Sequence, residues 1–203
     1  MKMSTVVTVL IVIGILCGGL YLRYHNKDTD ARGATRLMRS IENHAELNDT
    51  VKLIEKSEDI NIRDKSGKTA LFYAARAAQD PQVVRDLLEA GANLHIADEN
   101  GQTALMVAAQ YNPSVDVLEE FTKNGAHVNA ADNEGNTALF LAAQYNNAGI
   151  IKSLLRAKAD PDLPGPEGKT VAQALAENPQ LSDQEKTDYR QAMLVLSILQ
   201  PLR

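Results

Sequence analysis

Three stretches of the sequence are near-copies of one phrase: DKSGKTAL at 64–71, DENGQTAL at 98–105 and DNEGNTAL at 132–139. A shorter copy, GKTVA, follows at 168–172. The glycines of the four copies stand 34, 34 and 33 residues apart. A constant period in this range predicts a stack of repeated helical units rather than a single globular core.

Residues within and after each phrase predict where helices begin and end. Threonine is a favoured helix N-cap, because its hydroxyl accepts from a free backbone N–H. Each full phrase has one at that place: Thr69, Thr103 and Thr137. Glycine often follows a helix end, where the backbone turns left-handed. The corresponding residues here are Gly91, Gly125 and Lys158. A residue other than glycine costs about 1 kcal/mol there, which predicts that the last junction is the weakest.

The repeated phrases and the alanine pairs behind them resemble the ankyrin-repeat family, over about residues 30–180. The resemblance implies an all-α solenoid, in which each repeat is a β-turn finger followed by two antiparallel helices. The sequence departs from the family's threonine-proline-leucine-histidine motif. Alanine replaces the proline at Ala70, Ala104 and Ala138. Apolar residues replace the histidine at Phe72, Met106 and Phe140. We therefore expect apolar packing between repeats where the family has hydrogen bonds.

The repeat register divides the chain into four parts. A transmembrane signal-anchor at 1–22 and a polar linker at 23–33 precede the repeats, which cover 34–180. A C-terminal capping helix occupies 181–203. The predicted repeats are a capping repeat at 34–63, full repeats at 64–97, 98–131 and 132–164, and a degraded repeat at 165–180.

Composition excludes several classes of function. The net charge of −5 argues against nucleic acid as the partner. The only cysteine, Cys17, lies in an apolar run, so the repeats contain no disulfide, cysteine-based zinc site or thiol nucleophile. Aromatic residues are scarce and tryptophan is absent. That composition suits thin helices that each contact only their neighbours.

The N-terminal apolar run predicts a membrane anchor. Residues 5–22 are 18 consecutive residues without a charge. As a helix they span about 27 Å, close to the ~30 Å hydrocarbon core of a bilayer. A cleaved signal peptide is the main alternative, although no Ala-x-Ala-like site follows. A lipoprotein signal is a further alternative, but the residues before Cys17 lack the expected small side chain.

The flanking charges and the glycines of this run suggest its orientation and packing. Basic residues are more numerous after the run than before it, which favours a repeat domain facing the cytoplasm. Asp28 and Asp30 dilute that bias, so a periplasmic or extracytoplasmic domain is the alternative. Gly14 and Gly18 have the G-x-x-x-G spacing of paired membrane helices.

The inner helices carry the prediction of function. The family points its variable inner-helix positions toward a concave groove. In this sequence they are Tyr73, Arg76, Val107, Gln110, Tyr111, Leu141, Gln144 and Tyr145. Tyrosine is enriched at protein interfaces because it offers apolar area with a polar tip. We therefore expect these side chains to contact a protein partner, the alternative being that some pack against the adjacent repeat.

The C-terminal segment predicts a second contact surface. The capping-box pattern Ser182–Glu185 opens a helix with two apolar stripes. One stripe covers the last repeat. The other consists of Leu194, Val195 and Ile198, and we expect it to meet a partner, a second copy of the chain or the bilayer. The alternative is that the loop at Pro179 folds back over it.

No residue pattern predicts catalysis, a cofactor or a metal site. The stretch from Pro164 to Thr170 ends like a phosphate-binding loop, but Leu163 stands where the first glycine is required. The four histidines lack ligand spacing, and we expect His95 and His127 to form no ladder because they are two residues out of register. We expect no enzyme and no small-molecule substrate.

The sequence thus predicts a single-pass membrane protein that presents an interaction surface to other proteins, with self-association possible. A scaffold or accessory subunit of a membrane-associated complex is the leading interpretation. A tethered inhibitor or regulator of an enzyme is the alternative, as is a secreted or periplasmic repeat protein whose signal peptide is removed.

Overall fold

The computed structural model describes the backbone of residues 29–199 and the side chains of residues 29–192. Within that range the fold is all α, with ten α-helices and no strand. The helices are α1 (Arg36–Glu42), α2 (Leu47–Glu55), α3 (Ala70–Ala77), α4 (Pro81–Glu89), α5 (Ala104–Tyr111), α6 (Val115–Lys123), α7 (Ala138–Tyr145), α8 (Ala148–Arg156), α9 (Val171–Glu177) and α10 (Asp183–Leu199). A short 3-10 turn, Pro166–Gly168, precedes α9.

The helices form two layers. The inner layer consists of α1, α3, α5, α7 and α9, each packed on the next. In the outer layer, α2, α4, α6 and α8 pack in the same order. The α10 helix packs on α9, and Tyr189 on it donates a hydrogen bond to the Ala148 carbonyl at 2.7 Å. The buried side chains form one continuous core between the layers.

The central inner helices, α5 and α7, are apolar around nearly their whole circumference, and each lies between two neighbouring inner helices. In α5 all six residues from Ala104 to Ala109 are buried. The alanine pairs of α3, α5 and α7 are fully buried, and such small side chains let adjacent inner helices approach closely. The three residues that replace the family's histidine, Phe72, Met106 and Phe140, are at most 2% exposed. The expectation of apolar packing at this position is confirmed.

Two of the three predicted threonine caps are confirmed. The Thr103 and Thr137 hydroxyls accept from the third backbone N–H of their helices, at 3.4 and 3.2 Å. The prediction is wrong for Thr69, whose hydroxyl is buried and has no hydrogen-bond partner among the described residues. The Phe72 amide donates instead to the Thr69 carbonyl at 3.0 Å. The first turn of α3 is therefore tighter, and the Phe72 N–H donates to the Thr69 carbonyl in place of the Thr69 hydroxyl.

The predicted left-handed residues are confirmed at the ends of three outer helices. Gly91 and Gly125 have φ of 89° and 88°, and Lys158 has φ of 66°. A side chain in this region is strained, so Lys158 adopts a backbone conformation that glycine adopts without strain. The consequence for the last junction stays a prediction.

A backbone ladder joins the fingers of successive repeats. The residue after each finger aspartate donates its N–H to a carbonyl of the preceding finger. The three bonds are Lys65 to Arg32 at 2.9 Å, Glu99 to Ser66 at 3.0 Å and Asn133 to Asn100 at 3.0 Å. In the last finger Pro166 stands at this position. Proline has no N–H to donate, so the ladder ends there.

The first finger lies inside the segment predicted as a linker. Asp30 accepts the backbone N–H groups of Arg32 and Ala34 at 2.9 and 3.0 Å. Asp64 accepts from the two equivalent positions of the next finger. Residues 30–34 therefore have the hydrogen bonds of a repeat finger, and the first repeat includes the end of the 23–33 segment.

The last finger has a glycine where the others have an aspartate. Gly165 donates its N–H to the Lys169 carbonyl at 2.8 Å, as Asp64 does to Lys68. A Cβ at Gly165 would lie only 2.3 Å from the Phe140 ring. The aromatic ring of the preceding repeat thus occupies the space that the aspartate side chain takes elsewhere.

A second ladder runs along the ends of the inner helices. Buried asparagines donate both amide hydrogens to two carbonyls of the preceding repeat. Asn112 donates to Ala75 and Ala78, Asn146 to Ala109 and Asn112, and Asn178 to Ala143 and Asn146, at 2.8–3.1 Å. The position equivalent to Asn112 in the second repeat is Ala78, so the junction between the first two repeats lacks this bridge.

Several predictions fall outside the described residues. They concern the 5–22 anchor with Gly14 and Gly18, and the side chains of Leu194, Val195 and Ile198. None of the helices in residues 29–199 is long and apolar enough to cross a membrane.

We predict that Asn146→Ala lowers the free energy of unfolding by about 2–6 kcal/mol, since it leaves two buried carbonyls unpaired and each costs about 1–3 kcal/mol. Urea unfolding followed by circular dichroism measures the change. Asn124→Ala is the matched control. This residue also donates to a helix carbonyl, at 2.7 Å, but in an exposed position, and its replacement should change stability by less than about 0.5 kcal/mol. Equal losses for the two variants would contradict the role of the buried ladder.

Candidate functional site

A groove lies between the fingers and the inner helices of the first three repeats. Its volume is about 900 Å³, at the upper end of the range for binding pockets. It extends from Arg32 in the first finger to Ser114 before α6. Polar and charged side chains from the fingers face tyrosines from the inner helices across it. We refer to this feature as the groove.

The structure brings together four of the eight residues predicted to face a partner. Tyr73, Arg76, Val107 and Tyr111 line the groove, whereas Gln110, Leu141, Gln144 and Tyr145 do not. Val107 and Leu141 are buried at 6% and 3% exposure, so these side chains serve the core and offer little contact area. Tyr111 and Tyr145 are about half exposed, at 51% and 45%. Contact with a partner stays a prediction for all eight.

Tyr73 is fixed by a carboxylate in the finger beside it. One oxygen of Asp64 accepts the backbone N–H groups of Ser66 and Lys68, at 2.8 and 2.9 Å. The other accepts the Tyr73 hydroxyl at 2.8 Å. Burial raises the pKa of Tyr73 above its ordinary value, and the hydrogen bond to Asp64 raises it further. The tyrosine therefore braces the finger against α3 as well as lining the groove.

In the next two repeats the aspartate equivalent to Asp64 has different hydrogen-bond partners. Val107 replaces the tyrosine in the third repeat, and Asp98 Oδ2 has no hydrogen-bond partner among the described residues. The Lys68 ammonium lies 3.9 Å from it. In the fourth repeat Asn136 donates to Asp132 Oδ2 at 3.0 Å instead. The identity of the residue nine positions after each aspartate was the sequence signal for this difference.

An ion-pair cluster closes the N-terminal end of the groove. The Arg32 guanidinium donates to both oxygens of Glu42, at 3.1 and 2.8 Å, and also pairs with Asp30 at 3.1 Å. The hydrogen bonds from Arg32 hold the pKa of Glu42 below its ordinary value. Sequence reasoning placed Arg32 in a linker and missed this role, because the first finger has only a degraded copy of the phrase, DARGATRL at 30–37.

Arg76 contacts the ring of a tyrosine in the next repeat. Its guanidinium carbon is 4.9 Å from the centroid of the Tyr111 ring, a cation–π distance. Among the described residues no carboxylate lies within 4 Å of its nitrogens, in contrast to Arg32 and Arg85. The groove wall thus holds an exposed cation whose charge is not neutralised by a direct ion pair.

His95 and His127, which were expected to form no ladder because they are two residues out of register, are nevertheless in contact. Their rings lie 4.2 Å apart, centroid to centroid, and are tilted by 32°. Asn61 and Asn129 occupy the positions equivalent to His95, and each bridges to a carbonyl and an N–H about 30 residues further on. His127 is 32 residues after His95, two fewer than the repeat period, and the Asn61 bridge to Asn93 spans the same number of residues. His95 therefore contacts the next repeat at the place where its equivalents form amide bridges.

No group of three or more histidine, cysteine or acidic side chains gathers at metal-binding distance in the described part of the chain. The absence of a metal or cofactor stays a prediction.

We predict that Tyr73→Phe lowers the free energy of unfolding at pH 7 by about 1.5–3 kcal/mol, since it removes a hydrogen bond to a carboxylate. The folded state favours the neutral phenol because its pKa is raised. The contribution of Tyr73 is therefore complete below about pH 10, the pKa of an unfolded tyrosine, and is lost as the pH rises toward the folded value.

Urea unfolding between pH 7 and 11 tests this difference. The stability of the wild type should fall toward that of Tyr73→Phe in the alkaline range. Parallel pH profiles for the two proteins would contradict the assignment. Burial also raises the pKa of Tyr189. This residue is present in both proteins, so its effect cancels in the comparison.

Comparison with known families agrees with the geometry. A family model described as ankyrin repeats (3 copies) matches residues 4–98 and 75–164, more than half of the chain. Comparison with curated proteins finds no match. No catalytic family is indicated. The finger-and-helix-pair architecture and the family match together show that the chain belongs to the ankyrin-repeat family, whose repeats indicate a protein–protein interaction module.

Proposed function

We propose that this ankyrin-repeat protein is anchored in a membrane by residues 5–22 and binds a protein partner in the groove, as a scaffold or accessory subunit of a membrane-associated complex. The observation that carries the proposal is the groove itself. It combines a half-exposed tyrosine, Tyr111, with an arginine, Arg76, that has no direct ion pair among the described residues, on a frame held by hydrogen bonds.

The rigidity of the frame supports binding rather than catalysis. The backbone ladder links the fingers on one side of the groove, and Asn112 links α5 to α3 beneath it. A surface that is already ordered loses little conformational entropy when a partner binds. A large aromatic side chain on such a surface is typical of an interface hot spot.

The apolar run supports the anchor. Eighteen uncharged residues suffice to cross the hydrocarbon core as a helix. The basic residues that follow favour a repeat domain on the cytoplasmic side. An anchor would also confine the groove near the bilayer and raise its effective concentration for membrane partners. Leu194, Val195 and Ile198 of α10 remain candidates for a second contact, with the partner, another copy or the lipid.

We predict that the wild type stays in the membrane pellet after an alkaline carbonate wash, and that Ile13→Arg moves it to the soluble fraction. An arginine at the centre of the run costs about 2.5–3.5 kcal/mol of insertion free energy. Ile13→Leu is the matched control and should behave as the wild type. A wild-type chain recovered without the mass of residues 1–22, or found in the soluble fraction, would refute the anchor.

We predict that a photo-crosslinking residue at Gln79, on the groove, gives a discrete protein adduct in the membranes of the source cells. The same residue at Lys152, exposed on the outer helix α8, should give none. Adducts of equal strength at both sites, or only at Lys152, would contradict binding through the groove. A complex of fixed stoichiometry in mild detergent supports a subunit or scaffold. A transient partner whose enzymatic activity falls on binding would favour the tethered-inhibitor alternative.

A further inference from the structure

The charges of the groove are not equally available to a partner. Arg32 is paired with Asp30 and Glu42, and both Glu42 oxygens accept from it. Both Asp64 oxygens also have donors, from Tyr73 and from two backbone amides. The acidic side chains that line the groove are therefore engaged, and they offer little to a cation arriving from outside.

Arg76 is the contrasting case. Its side chain is exposed and lies over Tyr111, and no described carboxylate is within 4 Å of its nitrogens. Lys68, also on the groove, is only loosely paired, at 3.9 Å from Asp98, and its side chain is 37% exposed. The groove thus has spare hydrogen-bond donors with positive charge, even though the chain as a whole carries −5.

Among the described residues the Arg76 guanidinium contacts the Tyr111 ring and has no ion pair, so its donors are available to a ligand. A guanidinium carries five N–H groups, which point outward in its own plane. Two of them match the two oxygens of a carboxylate, and such paired bonds are stronger than neutral ones. The ring also limits the number of orientations that Arg76 can adopt, so less entropy is lost when the carboxylate arrives.

The residues and charges around Arg76 further restrict the kind of ligand that the groove would bind. Tyr111 is half exposed, so its ring offers apolar area beside the arginine. The groove extends across three repeats, from Arg32 to Ser114. It is longer than the binding of a partner's terminal residue would require, and it suits an internal segment of the partner chain. A run of acidic residues would be repelled by the net negative chain. One carboxylate next to an apolar side chain fits both conditions.

We propose that the groove recognises a linear segment of a partner protein through one aspartate or glutamate side chain, held bidentately by Arg76, with a neighbouring apolar side chain against Tyr111. This inference rests on the proposed binding function and names the chemistry of the partner. Arg76 is the residue that selects the acid, and Tyr111 both positions it and contributes the apolar contact.

Selection from a phage-displayed library of random linear peptides tests the inference, with the full chain in detergent as bait. Each peptide's C-terminus is joined to the coat protein, so a C-terminal carboxylate cannot supply the acid. The wild type should enrich aspartate or glutamate at one position beside an apolar residue. Arg76→Gln should lose the acidic enrichment and keep the apolar one. Arg85→Gln, which removes an arginine paired with Glu120 on the outer layer, is the matched control.

A synthetic peptide from the selection then gives the magnitude. Replacing its acid by the amide should weaken binding to the wild type about tenfold or more, because a bidentate charge-assisted pair is lost. The same replacement should have little effect on binding to Arg76→Gln. The change in the peptide does not alter the wild-type protein. The measurement on the wild type therefore tests the role of the acid even if Arg76→Gln folds poorly.

The outcomes separate the two proposals. Selected peptides without an acid, or an acid preference that persists in Arg76→Gln, overturn this inference and leave the groove as a binding site. A selection that yields no peptide whose binding is lost in Tyr111→Ala overturns the proposed function and this inference together.

Discussion

Buried backbone carbonyls at the ends of the inner helices constrain this fold more than any other feature. The last carbonyls of a helix have no partner within it, and stacking the repeats removes them from water. Asparagines 112, 146 and 178 resolve this by placing an amide between two carbonyls of the preceding repeat. A leucine or alanine in their place would fill space but leave those carbonyls unpaired. The spacing between repeats is therefore set by hydrogen-bond length as well as by apolar packing.

The two ladders cover the junctions unequally. The finger ladder joins the first four repeats and stops at Pro166. The asparagine ladder begins at the second junction, because the earlier position is Ala78, and continues to the last. Every junction has at least one ladder, and the two central junctions have both. The groove lies over the first two junctions, where the finger ladder is complete.

Periodicity predicted the repeat fold, and local chemistry predicted several helix boundaries, since the caps and left-handed turns depend on single residues. The Thr69 cap failed because a hydroxyl's partner depends on how tightly the first turn winds, which the threonine alone does not reveal. The first finger was missed because its phrase is degraded, although Asp30 retains the hydrogen bonds. Four of the eight residues predicted to face a partner line the groove. Contacts between repeats, such as Arg76 on Tyr111 and His95 on His127, depend on the offset between layers, and one repeat's sequence does not encode that offset.

The finger ladder beneath the groove uses only main-chain atoms. The amides of Lys65 and Glu99 donate to carbonyls of the preceding finger, and any amino acid except proline can supply such a donor. The side chains of Lys65 and Glu99 can consequently change without the loss of these bonds. A lineage could thus exchange one partner for another by point substitution, while the scaffold that presents the new surface is inherited unchanged.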